Sequence, residues 1–178
     1  MDNFGSSMYK SDQSLWHEQG FTLLEMVMVI TILAILAMLA TPVYQKFKTQ
    51  QVVSQTSDQL RDHLELARAH AQSQHVKVKV CPIIPSDLSS STPNCLTQGG
   101  VTQWLAWMVI RMDNGLVLAR AQKASEDIII TSGQRDAVGF DERGMASSFA
   151  NATISISSAR DAQIKSELKI ASTGRVTQ

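Results

Sequence analysis

Glu25 is the first residue whose surroundings demand a chemical explanation. It is the one formal charge among the 21 residues from Phe21 to Thr41, a run otherwise built of Leu, Ile, Val, Met, Ala, Thr and Phe. A carboxylate placed that way is expensive in an apolar medium and calls for a positive partner. Cys81 and Cys95 are the second pair capable of chemistry. They lie beyond the apolar run, so if the bulk of the chain is exported they are expected to form a disulfide. Closing that loop of about 15 residues is worth on the order of 3 kcal/mol in the chain-entropy account. Reduced thiols or a metal site are the alternatives, and no His stands in the loop to favour a metal. His63 and His70 are seven apart and could share a helix face, but His75 has no four-residue spacing to either. Without a carboxylate at ligand spacing this is a weak zinc case, and solvated helix histidines are the expectation. The chain has no phosphate-loop sequence, no Gly-x-Ser-x-Gly and no His-Glu-x-x-His. Neither an enzyme nor a cofactor, metal or small-molecule substrate is expected.

The segment that must position Glu25 is the apolar run itself. At about 1.5 Å per residue it spans the roughly 30 Å hydrocarbon core of a bilayer as a helix. A secretory signal cut after Ala40 fits poorly, because Met38 would occupy the −3 position and the leader carries one Lys and no Arg. Residues 1–20 read as a polar leader, with Lys10 against Asp2, Asp12 and Glu18. The chain beyond the leader holds 15 basic and 13 acidic residues, a net charge too small to argue for nucleic acid on its own. Pro42 predicts a kink, not an end, because the pattern beyond it stays helical. Val53, Leu60, Leu64, Ala67 and Ala71 fall on one stripe, with Gln, Ser, Asp and Arg filling the other sides. The helix is expected over 21–75, with 21–41 as its membrane part. About 54 residues of it would measure about 80 Å.

At His75 the period changes to two, and 76–178 is read as one β-rich domain. Val76 to Val80 alternates strictly and predicts a strand ended by Cys81-Pro82. A Ser-, Pro- and Gly-rich loop follows over 83–100, then a strand over 104–111. Asp113-Asn114-Gly115 predicts a hairpin turn with positive φ at both central positions, returning through 116–119. Further strands are expected at 128–131, 137–140, 153–157 and 167–171. Trp104 and Trp107, three apart on one strand, would face opposite sides, one in the core and the other at the surface or under the Ser-rich loop.

Gly20-Phe21-Thr22-Leu23-Leu24-Glu25, followed by an apolar helix, resembles the start of type IV prepilins and type II secretion pseudopilins. The resemblance implies a prepilin peptidase that cuts between Gly20 and Phe21 and methylates the new amine of Phe21. It also implies that Glu25 meets that amine on a neighbouring subunit, two buried charges that compensate each other. The leader departs from the pattern in setting a single Lys10 against Asp2, Asp12 and Glu18. Ala67-Arg68-Ala69, the strand ending at Cys81, Trp104 and Trp107 before Asp113-Asn114-Gly115, Phe140-Asp141-Glu142-Arg143-Gly144 and Gly174-Arg175-Val176 extend the likeness to the GspH/FimT-type minor pilins. That family implies an α+β, pilin-like fold: a long N-terminal helix, transmembrane then amphipathic, packed on two small antiparallel sheets.

The implied place is the inner membrane, single-pass, with the C-terminal domain in the periplasm and then in a filament. Its partners would be the peptidase and other pilins or pseudopilins met through the N-terminal helix. Three functions stand open: a minor pilin near the tip of a type IV pilus, a type II secretion pseudopilin H for export, or a DNA-binding tip pilin. DNA-binding members end in Gly-Arg-x-Arg, whose paired cations hold phosphates. Here Thr177 replaces the second Arg, so only Arg175 carries over, with Lys165 and Lys169 as further candidates for weak, non-specific DNA contacts.

Overall fold

The computed structural model describes residues 21–91, 93–96, 103–133, 137–147 and 152–178. Helix α1 (Leu23–Gln74) opens on one half of a capping box, because Thr22 Oγ1 accepts the Glu25 backbone N–H at 3.2 Å. Thr22 is therefore the N-cap and Glu25 the third helical residue, where a carboxylate also faces the positive end of the helix dipole. Pro42 lies inside α1, not at its end. The far end closes when His75 turns to φ 52 and the Val76 N–H reaches back to the Ala71 carbonyl at 3.3 Å. That six-to-one bond is the Schellman arrangement, here with His75 where Gly is usual.

The chain divides into two units, one ending at Thr41 and one running Pro42–Gln178. In the first, α1 shows its apolar side chains to the surroundings, Leu23, Leu24, Met26, Met28, Ile35 and Leu36 among them. The second holds two four-stranded antiparallel sheets. The first sheet has the order β3 (Val117–Gln122), β2 (Ala106–Arg111), β1 (Val78–Ile83), β5 (Val138–Phe140). The second has the order β4 (Ile128–Thr131), β6 (Ala152–Ser158), β7 (Lys165–Ile170), β8 (Val176–Thr177).

The stripe Val53, Leu60, Leu64, Ala67 and Ala71 is buried in one core with Val78, Val80, Trp107, Val109 and Phe140 of the first sheet. Ile128, Ile130, Ile154, Ile156, Leu168 and Ile170 of the second sheet join it. A smaller cluster of Cys81, Ile83, Ala106 and Met108 covers the other face of the first sheet, with Leu88 and Cys95 packed on it. That second cover explains why strict alternation stops at Cys81: from there β1 is apolar on both faces. It also explains a correction, because β1 continues through Pro82 to Ile83 instead of ending at Cys81. Beyond Val80, β5 no longer pairs with β1, and an edge position tolerates the missing N–H of proline.

The β2–β3 hairpin differs from the expected turn as well. Gly115 has φ 71, but Asn114 does not share a positive φ. Asn114 Oδ1 instead accepts the Leu116 N–H at 3.0 Å, and a register shift between Val109 and Ile110 absorbs the longer connection. Trp104 precedes β2, so the opposite-face expectation fails for it: both tryptophans are fully buried. The Trp104 backbone N–H donates to Ile130 at 2.9 Å and its indole to Ser132 Oγ at 3.1 Å, tying one sheet to the other.

Candidate functional site

The N-terminal part of the site is Phe21, Thr22 and Glu25. Phe21 is 74 % exposed and Glu25 is exposed with it, one helical turn away. Nothing within this segment offers Glu25 a cation, since the described residues from Phe21 to Tyr44 include no Lys or Arg. Gly20 and the rest of the leader lie outside the described residues.

The C-terminal part gathers three segments that are far apart in sequence. Asp141 Oδ1 accepts the backbone N–H groups of Arg143 and Met145 at 3.0 and 2.8 Å, folding 141–145 into a tight turn. Those bonds, Met145's the stronger, hold the Asp141 carboxyl below its ordinary range. Gln72 of α1 donates to the Arg143 carbonyl at 3.1 Å, fastening that turn to the helix end. Gly174, at φ 77, packs on Gly144: a Cβ added to it would lie 2.0 Å from the Gly144 carbonyl oxygen and 3.2 Å from Arg68 Nε. The motifs around Arg68, Gly144 and Gly174 are thus one contact region. A groove of about 640 Å³ opens beside it, lined by Arg61, Glu65, Arg68 and Gln72 of α1 and by Arg175 and Gln178.

Of the candidate phosphate contacts, Arg175 is exposed in the turn before β8. Lys165 and Lys169 share the outer face of β7, but Glu167 stands between them and binds Lys165 Nζ at 3.2 Å. Along a strand rising about 3.3 Å per residue, Lys165 sits about 20 Å from the Arg175 end. Arg160 lies at the far hairpin and pairs with Asp127 at 2.9 Å. It does not join Arg175.

Two histidines gave no sign of their partners in the sequence. His63 Nδ1 accepts the indole N–H of buried Trp107 at 2.9 Å, so His63 is a helix-to-sheet link and not the solvated residue expected. Burial lowers its pKa below the ordinary histidine value, and the nearby Asp62 opposes that shift. His70 is half-buried too, and its Nε2 has no partner among the described residues. No group of three His, Cys, Asp or Glu able to hold a metal occurs among the described residues. Cys81 and Cys95 are joined, with their Cα atoms 5.6 Å apart. The bond holds the loop carrying a short 3-10 turn (Pro85–Ser89) against the first sheet, where Arg120 Nη1 also donates to the Leu88 carbonyl at 2.7 Å.

Known proteins share both parts of this architecture. The family model described as type II transport protein GspH matches residues 56–174. The prokaryotic N-terminal methylation motif matches residues 17–41. Among curated proteins none matches the chain. The type IV minor pilin FimU of Pseudomonas aeruginosa (strain PAO1), in one crystal form, has a similar fold with a TM-score of 0.56 at 14 % identity, covering 74 % of this chain and 90 % of that one. A second crystal form of FimU gives a TM-score of 0.53 at 15 % identity, covering 70 % and 90 %.

Proposed function

The chain belongs to the GspH family of pilin-like proteins, and from that premise we propose that it is a minor pilin acting in the assembly of a type IV pilus, near its tip. It is a structural subunit held in the inner membrane by α1, with its β-rich domain in the periplasm. The observation that carries the reading is the capped start of α1, where Glu25 lies without a cation inside an exposed apolar segment. Such a helix is stable only in lipid or against other apolar helices. In this reading prepilin peptidase cleaves after Gly20 and methylates Phe21. The amine so exposed on one subunit then meets Glu25 of the next in the filament core.

The disulfide-closed loop ahead of β2 supports the pilus over the secretion pseudopilus of pseudopilin H. The two separate by phenotype. A tagged chain should co-purify with sheared pili, and its deletion should reduce piliation while leaving protein export intact. Loss of export with normal piliation would assign it to the secretion filament instead.

A second reading, DNA binding by the tail, is favoured by Arg175, an exposed cation at the β7–β8 turn with no ion pair among the described residues. Its test is a mobility-shift titration at low salt, in which the tail must retard duplex DNA weakly and without sequence preference.

A further inference from the structure

We propose that the outer edge of β3 is a strand-addition site for an extended segment of a partner protein, one that carries a carboxylate two residues from an apolar side chain. The inference stands on the sheet edges and is independent of the choice between pilus and secretion filament.

Two open sheets have four edges, and among the described residues three of these are closed. The Trp104 N–H donates to the Ile130 carbonyl at 2.9 Å and Gln103 bridges Thr131, which covers β4. The Ser147 N–H donates to the Gly139 carbonyl at 2.9 Å and Ala146 bridges Phe140, which covers β5. β8 is two residues long, and the Ser57 hydroxyl and Gln178 amide meet Ser166 of β7 at 2.8 and 2.9 Å. β3 is different. The Lys123 N–H donates to the Leu105 carbonyl at 3.1 Å, and Ala121 and Ala119 continue that register opposite Trp107 and Val109. By the alternation of an antiparallel ladder, the N–H and C=O groups of Arg120 and Gln122 therefore point away from β2. They meet no partner among the described residues.

Exposed edges are ordinarily blunted by a proline, a lysine or a very short strand. β3 runs Val-Leu-Ala-Arg-Ala-Gln and has none of these. Its one irregularity, the register shift opposite Val109 and Ile110, lies toward its start. Its one charge, Arg120, donates to the Leu88 carbonyl at 2.7 Å and has no carboxylate partner among the described residues.

Charge and shape name the occupant. A strand laid on β3 would bond to the backbone of Arg120 and Gln122 and set its own side chains opposite theirs. Opposite Arg120, a carboxylate answers the guanidinium. Gln122 is two residues on, so its side chain shares the face of Arg120. It lines a groove of about 330 Å³ together with Pro85 and Leu105, and Leu105 is 40 % exposed. An apolar side chain fits there, two residues from the acid. A second copy of β3 is the poorer occupant, because that strand has no carboxylate to offer Arg120.

The test follows amide hydrogen exchange, residue by residue, in the full chain in nonionic detergent. The probe is a short synthetic peptide alternating valine and threonine, with one glutamate in place of a valine. In the free chain the Arg120 and Gln122 amides should exchange fast while those of Ala119 and Ala121 are protected. Excess peptide should slow the first pair about tenfold or more. Gln122→Pro removes an outward N–H, leaves the β2–β3 ladder intact and should abolish the slowing at Arg120. Arg120→Gln should weaken peptide binding about tenfold, the size of one charge-assisted contact, and lysine in place of the peptide's glutamate should weaken it at least as much. Near-UV circular dichroism unchanged from the parent shows that each variant is folded. Methylating the backbone nitrogen of the peptide's glutamate blocks the same pairing without altering the protein, and should also abolish the slowing. Arg120 and Gln122 amides already protected in the free chain would overturn the proposal, as would no slowing by the peptide or equal slowing by its lysine form. Protection that rises with chain concentration in the absence of peptide would make a second copy the occupant and overturn the assignment to a partner.

Discussion

Replacing His63 by Leu should destabilise the periplasmic domain by about 1–3 kcal/mol, the range for leaving a buried donor unpaired. The donor is the Trp107 indole N–H, on a side chain with no exposed surface, and His63 Nδ1 is its acceptor at 2.9 Å. The size of the link is isolated by a cycle with Trp107→Phe, which removes the donor. In the Trp107→Phe background the His63→Leu change should cost little, giving a coupling of about 1–2 kcal/mol.

Acid should act on the same bond. A protonated imidazole donates from both nitrogens and cannot accept from the indole. Burial keeps the folded pKa below that of the unfolded chain, so just below pH 6.5 the unfolded chain binds the proton and the folded chain does not. The contribution of His63 to stability is therefore complete above that pH. It falls as the pH drops toward the lowered folded value. Urea unfolding of the full chain in nonionic detergent, followed by near-UV circular dichroism at pH 8 and pH 5, measures both effects. A coupling below about 0.5 kcal/mol, or the same pH profile for parent and His63→Leu, would refute the reasoning.

Other perturbations test separate parts of the structure. Gly174→Ala should cost clearly more than Gly115→Ala in the same assay: both have positive φ, but only Gly174 faces a backbone oxygen where a Cβ would stand. The left-handed conformation alone accounts for about 1–2 kcal/mol at either site, so equal losses would count against the Gly144–Gly174 contact. Cys95→Ser should lower stability by about 3 kcal/mol, and non-reducing peptide maps should recover residues 81 and 95 in one cross-linked fragment. Quantitative alkylation of both thiols without reductant would remove that bond. Glu25→Ala should leave the urea midpoint of the domain unchanged while abolishing incorporation into filaments, and normal incorporation would argue against the amine pairing.

How much was legible in the sequence varied with the range of the interaction. The apolar run around Glu25 and the stripe from Val53 to Ala71 could be read because each follows from composition or a 3.6-residue period. Thr56 and Ser57 sit on the same buried face yet are polar. Thr56 bonds its own helix at the Val52 carbonyl, and Ser57 meets Ser166 of β7 at 2.8 Å, a partner no local pattern announces. β8 is two residues long, too short for a period, and exists by pairing Lys169 with Thr177 and Ile170 with Val176. The parity argument misjudged Trp104 because it assumed a strand two residues longer than β2. Arg68 stood out in the sequence only as part of a motif, and its place beside Arg175 depends on a long-range contact through Gly174.

The central claim, that this is a pilin-type subunit processed for filament assembly, is tested most directly by mass spectrometry of the chain extracted from membranes. The account predicts a mature protein that begins at Phe21 and carries one methyl group on its amine. An intact leader, or a mature N-terminus at Thr41, would contradict it.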